Sequence, residues 1–166
     1  MKTDTFRHYF MNCFLLILPI LGWNIGLTTR LPKAFQQEMF WRDISPFLTY
    51  GENGSRSIVL VLTLLMPLTI STRMQKTGLF LYLGGIALYF ISWFVLIYFP
   101  DSEWSNSLVG FMAPACTPFF WLMGIGLIGN SFYFNLPYKR LYFIVTSVIF
   151  LLFHNVHTVK IYYETH

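Results

Sequence analysis

The stretch that decides the fold is GLFLYLGGIALYFISWFVLIYF, residues 78–99, which contains no acidic, basic or histidine side chain. An α-helix needs roughly 20 mainly apolar residues to cross the hydrocarbon core of a bilayer. This run is long enough without any extension. It therefore predicts a transmembrane helix, and the rest of the chain can be compared with it.

The composition extends this interpretation to the whole chain. Only 11% of the residues are charged, while 55% are hydrophobic and 20% are aromatic. Soluble domains average roughly 25% charged residues, so too little charge is present to cover a globule, and what there is falls between the apolar runs. The predicted fold class is an all-α, polytopic integral membrane protein. Residues 1–166 form a single helical-bundle domain, because a separate soluble domain would need about 50 residues or more.

Five apolar runs predict a bundle of five transmembrane helices. The first follows Lys2 and Arg7 but lacks a small-x-small cleavage site, so we interpret it as a helix and not as a secretory signal. The second is short and crosses only if its ends are extended. The predicted spans are approximately 9–27, 56–72, 78–99, 107–134 and 141–160.

One connection, between the first two spans, is long enough to hold an element of its own. Residues 32–45 place Phe35, Met39 and Phe40 on one side of a helix, with Trp41 suited to the headgroup level. This pattern predicts an interfacial amphipathic helix in the membrane plane. An irregular loop with scattered apolar residues is the alternative.

The distribution of Lys and Arg in the short connections predicts the orientation. Basic residues lie in the connections before spans three and five, whereas the link 100–107 carries Asp101 and Glu103 and no basic residue. By the positive-inside rule the N-terminus is cytoplasmic and the C-terminus outside, although the long first connection, also basic, would then lie outside. A bacterial plasma (inner) membrane is the expected location. The net charge of +4 fits membrane lipid headgroups better than nucleic acid, because there is no basic block.

Glycine and cysteine patterns are interpreted structurally. GIGLIG, residues 124–129, matches the dinucleotide fingerprint G-x-G-x-x-G, but the fingerprint works only where a strand turns into a helix. Inside a membrane span it predicts close helix approach, as do Gly22-x-x-x-Gly26 and the Gly84–Gly85 pair. Cys13 and Cys116 lie in different spans and are expected to be small buried hydrophobic residues.

Prolines and histidines mark the region where chemistry is most expected. Pro114 and Pro118 predict a bend or break in the fourth span, since each removes a backbone hydrogen bond. His154 and His157 belong to a polar stripe on the fifth span that should face protein or water. At about 1.5 Å of rise per residue, His154 and Pro114 both lie roughly 10 Å below the outer surface, whereas His157 is expected to be near the surface and wet.

These features predict a ligand cavity that opens toward the outer leaflet. Its candidate lining residues are Trp93, Pro114, Thr117, Pro118 and His154, an apolar set with a few polar groups. The leading hypothesis is the binding or transport of a small or amphipathic molecule. In its length, span number and aromatic content the chain resembles the tryptophan-rich sensory and translocator proteins, and the resemblance is one of overall architecture.

Two other classes of function stay open. The histidine pair could serve a membrane-embedded enzyme, with or without a metal held by His154, His157, Asp101 and Glu103. The chain could instead be a non-catalytic subunit of a larger membrane complex or a homo-oligomer, with its glycine-rich faces packed on a partner.

Overall fold

The computed structural model describes residues 10–134 and 137–165, and within them the secondary structure is helical except for one isolated bridge between Asn12 and Pro67. Four helical segments are long and apolar enough to cross a membrane: Cys13–Arg30, Arg73–Tyr98, Leu108–Ile128 and Arg140–Thr165. These segments confirm an all-helical integral membrane protein. Of the residues used for the first span and for the orientation, Lys2, Arg7 and Tyr9 lie outside the described residues.

The helices follow the cap and proline signals of the sequence. Thr72 and Gln75 form a capping box at the start of the apolar helix that begins at Arg73, and Ser45 and Ser107 each cap a helix that follows them. In chain order the α-helices are α1 (Leu18–Leu27), α2 (Gln37–Phe40), α3 (Pro46–Leu65), α4 (Arg73–Tyr98), α5 (Glu103–Asn106), α6 (Leu108–Cys116), α7 (Pro118–Ile128) and α8 (Arg140–Thr165), with 3-10 turns at Cys13–Leu16, Thr28–Arg30 and Lys33–Phe35.

The second predicted span, 56–72, is wrong in its position. Helix α3 begins at Pro46 and ends at Leu65, just before Pro67, which cannot continue a helix. The sequence GENGSR, residues 51–56, favours a loop, yet it is helical here because Glu52 and Ser55 are buried against the rest of the bundle. Helix α3 is not among the four segments that satisfy the length and hydropathy of a span.

Hydrogen bonds fix which helix ends lie at the same level. Cys13 N donates to Met66 O at 2.8 Å, Gln75 Nε2 donates to Ile128 O at 2.9 Å, and Arg140 Nε donates to Gly129 O at 3.1 Å. The start of α4 therefore lies beside the end of α7, and the 3-10 turn that leads into α1 lies beside the end of α3. At the opposite end, Tyr162 OH on α8 donates to Asn106 O at 3.2 Å.

Small residues allow α4 and α7 to pack closely. A Cβ on Gly124 would lie 2.6 Å from Tyr82 N, and one on Gly85 would lie 2.5 Å from Trp121 N. Close approach is thus confirmed for Gly85 and Gly124. It is wrong for Gly22, Gly26 and Gly84, because a Cβ at each of these positions would have no atom of the described residues within 4 Å.

The fourth span is interrupted where the proline pair predicts it. Helix α6 ends at Cys116 and α7 starts at Pro118, whose missing N–H leaves the Pro114 carbonyl without its helical donor. Pro19, in contrast, lies in the first turn of α1, where a proline is tolerated.

The long connection does not form one continuous helix over 32–45. Residues 32–45 contain only the turn Lys33–Phe35 and the short helix α2. Phe35 packs against Phe111 and Trp93 with ring centroids 4.4 and 5.0 Å apart. Its aromatic side chains therefore enter the bundle, and we call residues 31–45 the roof segment.

Candidate ligand cavity

A cavity of about 500 Å³ lies between the helices and the roof segment. All the long helices of the bundle contribute to its wall, together with the roof segment. The residues that line it are Ile17, Ile20, Leu21, Asn24, Thr28, Leu31, Phe35, Gln37, Phe40, Trp41, Arg56, Val59, Leu60, Tyr89, Trp93, Pro114, Ala115, Pro118, Trp121, Leu122, Phe150, His154 and Thr158. The wall is mainly aliphatic and aromatic, with a few polar groups, as in most small-molecule sites.

Four of the five predicted cavity residues line this one space. Trp93 comes from α4, Pro114 and Pro118 from the two sides of the interrupted helix, and His154 from α8. Thr117 lies between the two prolines but is not part of the lining, and its buried hydroxyl has no partner among the described residues. The helix break and the histidine thus lie at one level of the bundle.

A buried carboxylate joins the two histidines. Glu52 on α3 is fully buried, and its Oε1 lies 3.0 Å from His154 Nδ1 while its Oε2 lies 2.6 Å from His157 Nδ1. Arg56, one helical turn further along α3, forms an ion pair with Oε1. We call Glu52, Arg56, His154 and His157 the carboxylate cluster. A guanidinium and two imidazole nitrogens surround one acidic side chain, which is how a buried charge is tolerated.

Local packing brings α3 close enough to α8 for this cluster to form. A Cβ on Gly51 would lie 2.3 Å from the Phe153 ring, so any side chain at this position would require the ring to move. The Arg56 guanidinium lies over the Phe150 ring at 5.4 Å, and Phe150 stacks on His154 at 5.5 Å. These contacts fix the orientation of Arg56 and His154 at the cavity wall.

His157 connects the cluster to the roof segment. Its Nε2 lies 2.6 Å from the Phe40 carbonyl, and its ring packs against Phe40 and Trp41 with centroids 4.1 and 4.7 Å away. The imidazole is fully buried. The prediction that His157 is exposed to water is therefore wrong, because the roof segment covers its side chain. The sequence pattern did not predict that this segment packs against the imidazole.

The predicted metal set is not brought together. The carboxylate that contacts both histidines is Glu52, and neither Asp101 nor Glu103 takes part in the carboxylate cluster. Two ligand atoms on one tetrahedral zinc ion lie roughly 3.3 Å apart. The Nδ1 atoms of His154 and His157 lie closer than this to the Glu52 carboxylate oxygens, at the hydrogen-bond distances of 3.0 and 2.6 Å. In the described ranges, no three His, Cys, Asp or Glu side chains are grouped so that they could hold a metal ion.

Sequence reasoning missed the two residues of the cluster that lie on α3. Glu52 and Arg56 are four residues apart, the spacing at which a carboxylate and a guanidinium meet on one helix. That spacing, directly before an apolar run, was the available signal. It went unused because the surrounding Asn and Gly residues favoured a loop.

Several hydrogen-bond donors in the cavity wall have no acceptor. Tyr89 OH donates to Asn24 Oδ1 at 2.6 Å, which leaves the Asn24 amide N–H groups without a partner within the described ranges. The buried indole N–H of Trp121 likewise has no acceptor among the residues that the structure describes. Arg56 has five N–H groups and uses its two terminal nitrogens for Glu52 and Asn53. The wall thus has donors to spare.

The geometry defines a helical membrane protein with a mainly apolar cavity between its helices and a buried carboxylate cluster. Comparisons with models of protein families, with curated proteins and with solved structures find no match for this chain. The outline likeness to the tryptophan-rich sensory and translocator proteins stays one of length and composition.

Proposed function

We propose that this protein binds a small amphipathic molecule in the cavity beneath the roof segment. The observation that carries the proposal is the cavity itself, about 500 Å³ with mainly apolar walls and a polar region at Arg56 and His154. Ligand sites of this size commonly combine an apolar wall with a few polar groups that orient the ligand.

The free donors define the chemistry of the ligand's polar end. Arg56 and Asn24 offer N–H groups, and a carboxylate or phosphate group accepts such bonds, with the guanidinium supplying charge assistance. The apolar part of the ligand would lie against Val59, Leu60 and Leu122. A long-chain fatty acid is the simplest molecule with both properties.

The chain path supports five membrane crossings, and we include them in the proposal. Helix α1 starts near the end of the bundle where α4 begins and runs toward the opposite end. Helix α3 then returns the chain to the first end. Its polar first half would be tolerated in the membrane because Glu52 and Ser55 face protein. Arg73, Lys76 and Arg140 lie at this end, so the positive-inside rule makes it cytoplasmic and places the cavity toward the outer leaflet.

A photolabelling experiment tests the binding proposal. The purified protein in phosphatidylcholine nanodiscs is labelled with palmitic acid that carries a mid-chain diazirine, and the attached peptides are identified by mass spectrometry. We expect labels on residues of the cavity wall, and excess unlabelled palmitic acid should displace them. Labels confined to the exposed faces of α4 and α8 would show lipid contact instead of a site.

A pair of variants on α3 provides the control. Leu60→Trp adds an indole to a residue of the cavity wall, whereas Leu64→Trp adds the same group to a side chain that is 45% exposed. We expect the first change to reduce cavity labelling at least about fivefold, because the added ring occupies the space that the ligand needs. The second should leave it unchanged. Equal labelling in both variants would contradict the proposal.

A further inference from the structure

The roof segment is attached to the bundle through the carboxylate cluster. His157 Nε2 meets the Phe40 carbonyl at 2.6 Å, while its Nδ1 meets Glu52 Oε2 at 2.6 Å. Phe40 and Trp41 also line the cavity. We infer that Glu52 and His157 form a proton-binding site whose occupancy holds the roof segment closed over the cavity.

Counting hydrogens shows why the closed arrangement needs a proton. A carbonyl oxygen only accepts, so the Nε2 atom that faces Phe40 must carry hydrogen. A second hydrogen must lie between His157 Nδ1 and Glu52 Oε2, whichever of the two atoms holds it. Glu52 Oε1 already accepts from Arg56 and faces His154 Nδ1. The closed state therefore binds one proton more than a neutral imidazole beside an ionised carboxylate.

Loss of that proton breaks one of the two contacts of His157. A neutral imidazole has a single N–H. If the hydrogen stays on Nε2, the lone pair of Nδ1 faces the Glu52 carboxylate at hydrogen-bond distance. If it stays on Nδ1, the lone pair of Nε2 faces the Phe40 carbonyl. Both arrangements place two acceptors together in a buried site, which is unfavourable.

The direction of the pH dependence follows from this proton count. The closed state binds the proton and the open state can release it, so closure is fully favoured at low pH and is lost as the pH rises, by at most about tenfold per pH unit for one proton. The charged and titratable groups that face His157 or flank it on the packed elements are Glu52 and Arg56 on α3, Cys116 on α6, His154, Lys160 and Glu164 on α8, and Lys33, Glu38, Arg42 and Asp43 on the roof segment.

A proton at this site would couple pH to ligand exchange. Leu31, Phe35 and Gln37 of the roof segment line the cavity together with Phe40 and Trp41, so displacement of the segment opens the cavity at that end. This consequence rests on the proposed function. The closure itself does not, because it can be measured without a ligand.

Hydrogen–deuterium exchange of the ligand-free protein tests the inference. Exchange of residues 31–45 is followed from about pH 5 to about pH 9, the range in which a histidine changes charge, after division by the intrinsic rate at each pH. We expect protection of the wild-type roof segment to fall at least about tenfold over this range, and protection of α4 to stay constant.

Glu52→Gln gives the sharpest result, because it changes the proton requirement without removing the side chain. The glutamine amide can donate to His157 Nδ1 while a neutral imidazole keeps Nε2–H on the Phe40 carbonyl. The amide oxygen can instead accept from Nδ1–H when the imidazole is protonated, so we expect the roof segment of this variant to stay protected across the range, without the pH slope of the wild type. His157→Gln cannot donate to both partners and should show low protection at every pH.

Lys160→Met is the matched control. Lys160 Nζ donates to the Asp43 carbonyl at 2.5 Å, so this variant removes a contact of the roof segment without changing Glu52 or His157. Protection should fall by a similar factor at every pH, with the wild-type slope retained. A wild-type roof segment without pH dependence, or the same slope in Glu52→Gln, would overturn the inference. Failed photolabelling of the cavity would overturn the proposed function alone.

Discussion

Replacement of Glu52 by alanine should be among the most destabilising single changes in this protein. The substitution leaves the fully buried His157 Nδ1 without a partner and removes the bond to His154. The stranded nitrogen costs about 1–3 kcal/mol and the lost bond about 0.5–1.5 kcal/mol. Arg56 adds up to about 1 kcal/mol, because its side chain is 39% exposed and can turn toward water. We expect a total loss of about 1.5–5.5 kcal/mol, which overlaps the range of about 3–5 kcal/mol measured for broken buried ion pairs.

Unfolding in mixed micelles with increasing SDS, followed by circular dichroism, measures this loss as a change in the free energy of unfolding. Glu103→Ala is the matched control, since Glu103 is an exposed carboxylate in a short surface helix and its loss should cost no more than about 0.5 kcal/mol. Glu52→Gln should lie between the two, because an amide can still satisfy the partners. If Glu52→Ala and Glu103→Ala unfold together, the cluster does not contribute to stability and the reasoning is refuted.

Glycine substitutions test the packing of the bundle in pairs of close neighbours, read out by thermal unfolding in detergent. Gly85→Ala should cost about 1–3 kcal/mol, because its Cβ would lie 2.5 Å from the backbone nitrogen of Trp121, whereas Gly84→Ala meets open space and should be neutral or stabilising. Gly51→Ala should destabilise because its Cβ would overlap the Phe153 ring, Gly54→Ala should not, and adding Phe153→Ala to Gly51→Ala should recover part of the loss. Equal effects within either pair would contradict the packing described here.

Much of the fold could be predicted because a membrane span is recognised from the apolar composition and the length of its segment. The run 78–99 lies almost entirely within α4, which begins at Arg73 and ends at Tyr98, and the proline pair marks the interruption at Thr117. Both are local effects, since an apolar run needs no partner to be recognised and a proline lacks its N–H wherever it stands. Prediction failed at residues 46–56, where tertiary contacts keep a polar stretch helical.

The site was predicted in part for the same reason. Trp93, Pro114 and His154 could be placed at one level by counting residues from the span ends, because the helical rise is constant. The partner of the histidines could not be predicted in this way, since Glu52 is separated from His154 by 102 positions along the chain. A sequence pattern shows which side chains share a helix face, but it does not show which helix packs against that face. The carboxylate cluster and the inward position of the roof segment both depend on that second kind of information.

The position of Glu52 links the membrane topology to the proposed chemistry. Residues 46–65 are too polar to meet the hydropathy of a span, and an unpaired acidic side chain within a bilayer is costly. Helix α3 is stable beside α8 only if Arg56, His154 and His157 satisfy that charge. Of these three side chains, Arg56 and His154 lie at the cavity wall and His157 lies beneath the roof segment. The contacts that allow the most polar helix of the bundle to fold are thus the contacts through which a proton would act on the cavity.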